Sequence, residues 1–451
     1  MPAWAVAALG ITLAAGGAAG GEPDSDRADR IGRIAAAIEK HIAEESAASD
    51  GSFHLLHEGR DLELKLVRVH LEYLADLGDG VQFACVDLVG SDGPVYDVDF
   101  FLRSAQGDTT VTETTVHKVN GQPLYAWEQT AEGGWVRVPI TDATPRLLGV
   151  LRGEDRFEFT YRFRLPELKG PAKLWLPLAQ SSAFQTVEIE RIAAPSKVRT
   201  LEESAYGNKV LYLTAGREDG GKLVEIRYVV RREEASPYPT GDSSPRAYLV
   251  PERLVPSDTS FVAIAEQAVR GKATDLMRAR ALYDHVIDKV RYARFGSGWG
   301  QGDAVYACNV RSGNCTDFHA YFIALARAIG IPARFAIGAA IPSERDDGGI
   351  DGYHCWAEFY ADGRWWPVDV SEADKNASLA SYYFGHQPAN RIELSRGRDL
   401  VVEPGPASGP INFLAYPVLE VEGEPTPVRP EFLFRRTSRQ DDADGRGRAS
   451  R

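Results

Sequence analysis

Residues 312–335 read SGNCTDFHAYFIALARAIGIPARF. From Thr316 onward the apolar residues Phe318, Phe322, Leu325, Ala326 and Ile329 recur at steps of three and four, which predicts a helix with a buried face. Gly330 followed by Pro332 stops it. Cys315 then sits at the N-terminal end of that helix, where open backbone N–H groups and the positive end of the dipole favour a thiolate over a thiol. Gly313 lets the backbone approach closely just before it.

A thiolate needs a base and a group to orient that base. Residues 352–370, GYHCWAEFYADGRWWPVDV, alternate as a strand, turn at Ala361 to Gly363 and continue as a second strand, so they predict a hairpin. His354 lies on the first strand and Asp369 near the end of the second. Paired strands place both on one face, with Asp369 fixing the imidazole tautomer and His354 reaching the sulfur.

These stretches carry a family resemblance. Asp303-Ala304, Arg311 to Phe318 and Leu325 to Arg334 are similar to the nucleophile motif of the transglutaminase-like superfamily of cysteine enzymes. His354 to Tyr360 and Trp365 to Asp369 resemble its histidine and aspartate motifs, in the family's order, and the resemblance covers about residues 250–400. It departs from the family after the aspartate, where Val370-Ser371 stand in place of the frequent proline and threonine. The resemblance implies a papain-like α+β core with Cys315, His354 and Asp369 as catalytic residues, acting on peptide or amide bonds through a thioester acyl-enzyme. Neither water nor an amine is singled out as acceptor, with hydrolysis slightly preferred, and a protein or peptide is the expected substrate. No cofactor and no metal are expected. The alternative is a binding or scaffold protein with a vestigial core.

Other residues invite competing assignments. Cys308, Cys315, His319, His354 and Cys355 contain enough ligands for zinc, yet the short paired spacings that clamp structural zinc are absent. His319 competes with His354 as base, but it sits on the nucleophile's own helix and reaches the sulfur less well, whereas His354 has Asp369 as a candidate partner. Cys355, next to His354 on a strand, is expected to face the core, and Cys85 is read as a buried small residue. A Cys308 to Cys355 disulfide, or a Cys308 to Cys315 redox lock, is conceivable in an exported chain. Trp299, on the glycine-rich loop Phe295 to Gly302, joins Tyr306 and His319 as substrate-cleft candidates. Glu358 is read as a buried ion-pair partner of Arg334 or Arg364. His54, His57, His70 and His117, spread over separate elements, read as surface or satisfied core histidines.

The 451 residues allow several domains, and a hydrophobic content of 44% with 25% charged residues is that of a globular chain. A net charge of −13 without a basic stripe argues against nucleic acid as a partner. The apolar stretch Ala3 to Gly21 is read as a signal peptide (1–21), so export to the periplasm or outside the cell is expected, with no other membrane-spanning segment. An amphipathic helix from Arg27 and four strand-like runs predict a small α+β domain over 27–140. Alternating runs then predict a β-sandwich over 146–240, followed by the transglutaminase-like domain over 246–429, closed by a strand pair around 411–423. The charged segment 430–451 is expected to be disordered.

Overall fold

The computed structural model describes residues 24–440 apart from 58, 79–80, 92, 106–107, 121, 130–134, 140–148, 240–243, 295–297 and 344. The expected leader, the segment beyond 440 and part of the loop expected at 295–302 therefore lie outside the described residues. The helices are α1 (Asp24–Ala48), α2 (Thr259–Ala268), α3 (Asp275–Lys289), α4 (Ala304–Val310), α5 (Cys315–Ala328) and α6 (Val370–Lys375). Among the described residues no helix is long and apolar enough to cross a membrane.

The chain is a mixed α and β, strand-rich protein. Its N-terminal part is a six-stranded antiparallel sheet spanning residues 53–123. Alternation sends Ala84, Val86, Leu88, Val98 and Phe100 to one face, where they bury Ile34, Ile38 and Ile42 of α1. The opposite face meets the C-terminal half: Val67, Val89 and Val95 share a core with α2, α3 and α5.

Two five-stranded sheets then pack face to face around Phe157, Phe159, Tyr161, Leu174, Leu211 and Tyr228. This is the expected sandwich, but it is not confined to 146–240. One sheet takes in Val418–Val421 and Glu424–Thr426, the other Asp347–Ile350 and Glu431–Gln440. Two expectations are thereby corrected. The strand pair near 411–423 closes the sandwich rather than the sheet that carries His354, and residues 431–440 form a strand rather than a disordered tail. The cause is alternation inside a charged segment: Phe432 lies 5.5 Å from Phe159 and 5.2 Å from Tyr161, ring to ring. The flanking Glu431 and Arg435 turn outward to Arg162 and Glu158.

The layer that positions the site is a further five-stranded antiparallel sheet, ordered 238–239, 364–368, 354–361, 333–340 and 391–396. Helix α5 crosses it, with every residue from Cys315 to Ala326 buried. The hairpin turns on Asp362 and Gly363, both at positive φ (50° and 76°). That is the type I′ geometry matching strand twist, which glycine at the second position accommodates.

Candidate active site

The N-terminus of α5 is built by two polar side chains three residues apart, Asn314 and Asp317. Asn314 caps the helix, its Oδ1 accepting from the N–H of Thr316 at 3.0 Å and from Thr316 Oγ1 at 2.6 Å. Asp317 closes the capping box by accepting from the N–H of Asn314 at 3.0 Å. The same carboxylate accepts from the N–H groups of Gly300 (2.7 Å) and Gly302 (3.0 Å), so it holds the glycine loop against the helix end. Burial pushes the Asp317 pKa up against the pull of these N–H groups. A Cβ on Gly313 would stand 2.5 Å from Asp317 Cβ, which is why glycine precedes the cap. Asp317 escaped the sequence reading, although its place three residues after Asn314 is a capping-box signature.

Cys315 is the first residue of α5 and only 1% exposed. His354 opens the strand 354–361, on the face of Trp356, and its Nε2 donates to Asp369 Oδ2 at 2.6 Å. Its other nitrogen, Nδ1, lies 3.9 Å from Glu372 Oε1, and the Cys315 side chain is close enough to act on the ring. Asp369 caps α6, its Oδ1 accepting from Ser371 Oγ at 3.0 Å and the Glu372 N–H at 3.1 Å. The three residues singled out by the motifs are thus brought together.

Their electrostatics are complementary. Burial alone would lower the pKa of His354, but the Asp369 carboxylate and the bonds to Asp369 and Cys315 hold it up at about 9. Burial likewise works against the Asp369 carboxylate, and His354 overrides it, keeping Asp369 well below the usual range. On Cys315 the largest influence is a hydrogen bond from the Cys355 thiol. With the His354 bond and the nearby His354 and His319 rings it outweighs burial and holds Cys315 well below an ordinary thiol. Cys355 moves the opposite way, driven up by burial and by Cys315, so it stays an S–H donor. Cys355 does face the core, as strand alternation requires, but that side of the strand is where Cys315 lies.

His319 is not a cleft residue, which corrects the expectation. It is fully buried; its Nδ1 donates to the Cys315 carbonyl at 2.7 Å and lies 3.5 Å from Cys355 Sγ, while its Nε2 accepts from the Val370 N–H at 3.1 Å. Both nitrogens are occupied, and burial, the largest influence, lowers its pKa. It is a neutral brace beneath Cys315. Val370 is the departure noted in the motif, and a proline there has no N–H to give.

The half-buried Trp299 lies in the turn tied to Asp317, and Tyr306 packs beneath that turn, its ring 2.9 Å from where a Cβ on Gly298 would sit. Arg398, fully buried, braces the loop from below by donating to the carbonyls of Gln301 and Gly302. Tyr292 went unnoticed in the sequence. The short parallel pairing of Arg291-Tyr292 with Ser312-Gly313 carries it beside Cys315, with Lys375 Nζ 4.2 Å above its ring. Glu358 pairs with Arg334 at 2.7 Å, as expected, and its carboxyl is held down at about 2 by Arg334 and Arg396 against burial. All four cysteines are free thiols. Cys308 lies on α4 against Tyr321, so neither a Cys308 to Cys355 disulfide nor a Cys308 to Cys315 lock is formed.

A second trio of the same residue types, Cys85, Asp99 and His117, stands in the N-terminal sheet. There burial and the carboxylates of Asp97 and Asp99 push the thiol up, the reverse of an activated nucleophile.

A papain-like layer with a cysteine at a helix start and a histidine–aspartate pair on the facing hairpin defines a transglutaminase-like domain. Residues 262–370 match the transglutaminase-like superfamily, and the C-terminal half of this chain carries that domain. An uncharacterized protein of Haemophilus influenzae is 26% identical over 319 residues, covering 60% of this chain and 86% of its own length. Among solved structures, a candidate cysteine protease from Cytophaga hutchinsonii is similar at 17% identity and a TM-score of 0.43, covering 62% of this chain and 90% of that one. The periplasmic domain of TgpA from Pseudomonas aeruginosa is similar at 18% identity and a TM-score of 0.27, covering 52% of this chain and 95% of that one.

Proposed function

We propose that this protein is a cysteine-dependent enzyme acting on peptide or amide bonds, with Cys315 as nucleophile, His354 as acid and base, and Asp369 as the residue orienting His354. The observation that carries the reading is the 2.6 Å bond from His354 to Asp369 beside a cysteine at the start of a buried helix. That arrangement favours a thiolate and imidazolium pair before substrate arrives.

In this mechanism the Cys315 thiolate adds to the amide carbonyl carbon. The resulting oxyanion takes a hydrogen bond from the Cys315 N–H, which has no intrahelical acceptor at the first position of α5. His354 gives its proton to the departing amine, the C–N bond breaks and a thioester remains. Neutral His354 then takes a proton from water or an amine, which attacks the thioester and releases the thiolate. Water is the preferred acceptor, and export of the protein, expected from the apolar leader, is part of the proposal. A vestigial scaffold is the weaker reading because all three groups and their braces are in place.

The test is acyl-enzyme capture. The reduced protein is mixed with a panel of short peptide esters, quenched in acid and mapped by mass spectrometry, with and without an added primary amine. The expected result is an acyl mass on Cys315, absent from Cys315→Ser and discharged to the free acid. An acyl mass on another cysteine, or none across the panel in a folded protein, would count against the assignment.

A further inference from the structure

Outside the catalytic layer, Cys85, Asp99 and His117 come from three neighbouring strands, Val81–Gly90, Val95–Ala105 and Asp108–Val119. Cys85 and Asp99 are directly opposite in register. Between the second and third strands the ladder slips: Asp97 pairs with Lys118 but Val98 with Val116, which makes His117 the extra residue of a bulge. Bulges re-aim side chains. This one brings His117 Nδ1 to 3.4 Å from Asp99 Oδ1 while Lys118 Nζ reaches Asp97 Oδ2 at 2.9 Å.

The thiol sulfur, imidazole nitrogen and carboxylate oxygen all lie within 4.8 Å of one another. A tetrahedral zinc site with ordinary bond lengths has edges between ligand atoms of about 3.3–3.8 Å. The histidine to aspartate edge already has about that length, and the sulfur has to close by about 1.5 Å at most. Cys85 and Asp99 are 7% and 0% exposed, so water competes little for them. Asp97, two residues before Asp99 on the same face and 2% exposed, keeps a buried Oδ1 without a hydrogen bond among the described residues.

We propose that Cys85, Asp99 and His117 bind a zinc-class divalent cation, with a water as fourth ligand. Sulfur, nitrogen and a single carboxylate oxygen suit zinc or its analogue cobalt, whereas magnesium and calcium call for oxygen alone. The ion would tie three strands together on the face from which Asp87 reaches Arg280 of α3, so it belongs to the docking of the N-terminal sheet rather than to the thioester chemistry.

The test uses the reduced full-length protein, stripped with chelator and titrated with cobalt. Saturable binding of about one ion per chain is expected, with the near-ultraviolet charge-transfer absorption of a thiolate–cobalt bond. The band is expected to vanish in Cys85→Ser, to persist in Cys315→Ala, and to need at least about tenfold more cobalt in His117→Gln. Zinc is expected to raise the melting temperature of the wild type and leave that of Cys85→Ser unchanged. His117→Gln, at a half-buried position, serves as the second variant should Cys85→Ser fold poorly. A band that survives in both variants, a band that disappears in Cys315→Ala, or no saturable band at all would overturn the site and leave a metal-free His117 and Asp99 pair.

Discussion

Val370 donates its N–H to His319 Nε2 at 3.1 Å, and this bond forces the His319 proton onto Nδ1, where it serves the Cys315 carbonyl. Replacing Val370 by proline removes the donor from a buried acceptor, at a cost of about 1–3 kcal/mol in a denaturant titration. Cys355 acts on Cys315 more directly. Since its S–H bond is the largest influence lowering the Cys315 pKa, Cys355→Ala is expected to move the alkylation profile of Cys315 to higher pH. An unshifted profile would mean that His354 alone supports the thiolate. His354 also links stability to pH. Its pKa is raised from 6.5 to about 9, so its contribution is fully present below 6.5 and lost as pH rises through 9. Unfolding midpoints of His354→Ala should accordingly lack the decline that the wild type shows across that window. Of these residues, Cys315, His354 and Asp369 were legible because each carries its own local signature, a helix start or a hairpin strand. The roles of Cys355 and His319 were not, because they exist only once α5 lies on the sheet.

At the scale of elements, α5 depends on its cap. Asn314→Ala removes the Oδ1 that serves the Thr316 N–H and hydroxyl and is expected to cost about 1–2 kcal/mol, read as a lowered melting temperature. The periodicity of 316–329 announced this helix, and the Asp-Gly turn announced the hairpin, because both signals are local. The strand Glu431–Gln440 shows the opposite case. Its phenylalanines alternate for only two steps before the charged run Arg435-Arg436, so composition pointed to disorder where pairing with residues 154–164 supplies the order. Deleting residues 431–440 would expose the faces of Phe159 and Tyr161 and forfeit the burial of Phe432 and Phe434, at about 1.5–3 kcal/mol each. With the lost ladder this approaches the whole stability of a domain, so circular dichroism of the truncated chain should show no cooperative melt near the wild-type temperature.

Across the whole molecule, the N-terminal sheet is joined to the catalytic layer through buried charge. Asp87 meets Arg280 at 2.6 Å and His70 at 3.0 Å, and accepts from Ser381 Oγ at 3.1 Å, while Arg68 reaches Asp284 at 2.8 Å. Removing one partner strands the other, so Asp87→Ala is expected to cost about 3–5 kcal/mol and to separate a single calorimetric transition into two. Long-range joins of this kind left no trace in the sequence. The order of helical and strand-rich segments could be read along the chain, but the return of residues 347–350 and 418–440 to the sandwich could not. Pairing between strands some 270 residues apart is decided by which hydrophobic faces remain uncovered after local structure has formed.

We infer that Cys315 rests as a thiolate paired with His354. Its most direct measurement is the rate of iodoacetamide alkylation of the reduced protein from about pH 4 to pH 9, resolved by cysteine with mass spectrometry, in wild type and His354→Ala. Cys315 is expected to react well below the pH of an ordinary thiol, ahead of Cys85 and Cys355, and His354→Ala to move that reactivity to higher pH. Uniformly slow labelling of all four cysteines, or a Cys315 profile indifferent to the loss of His354, would contradict it.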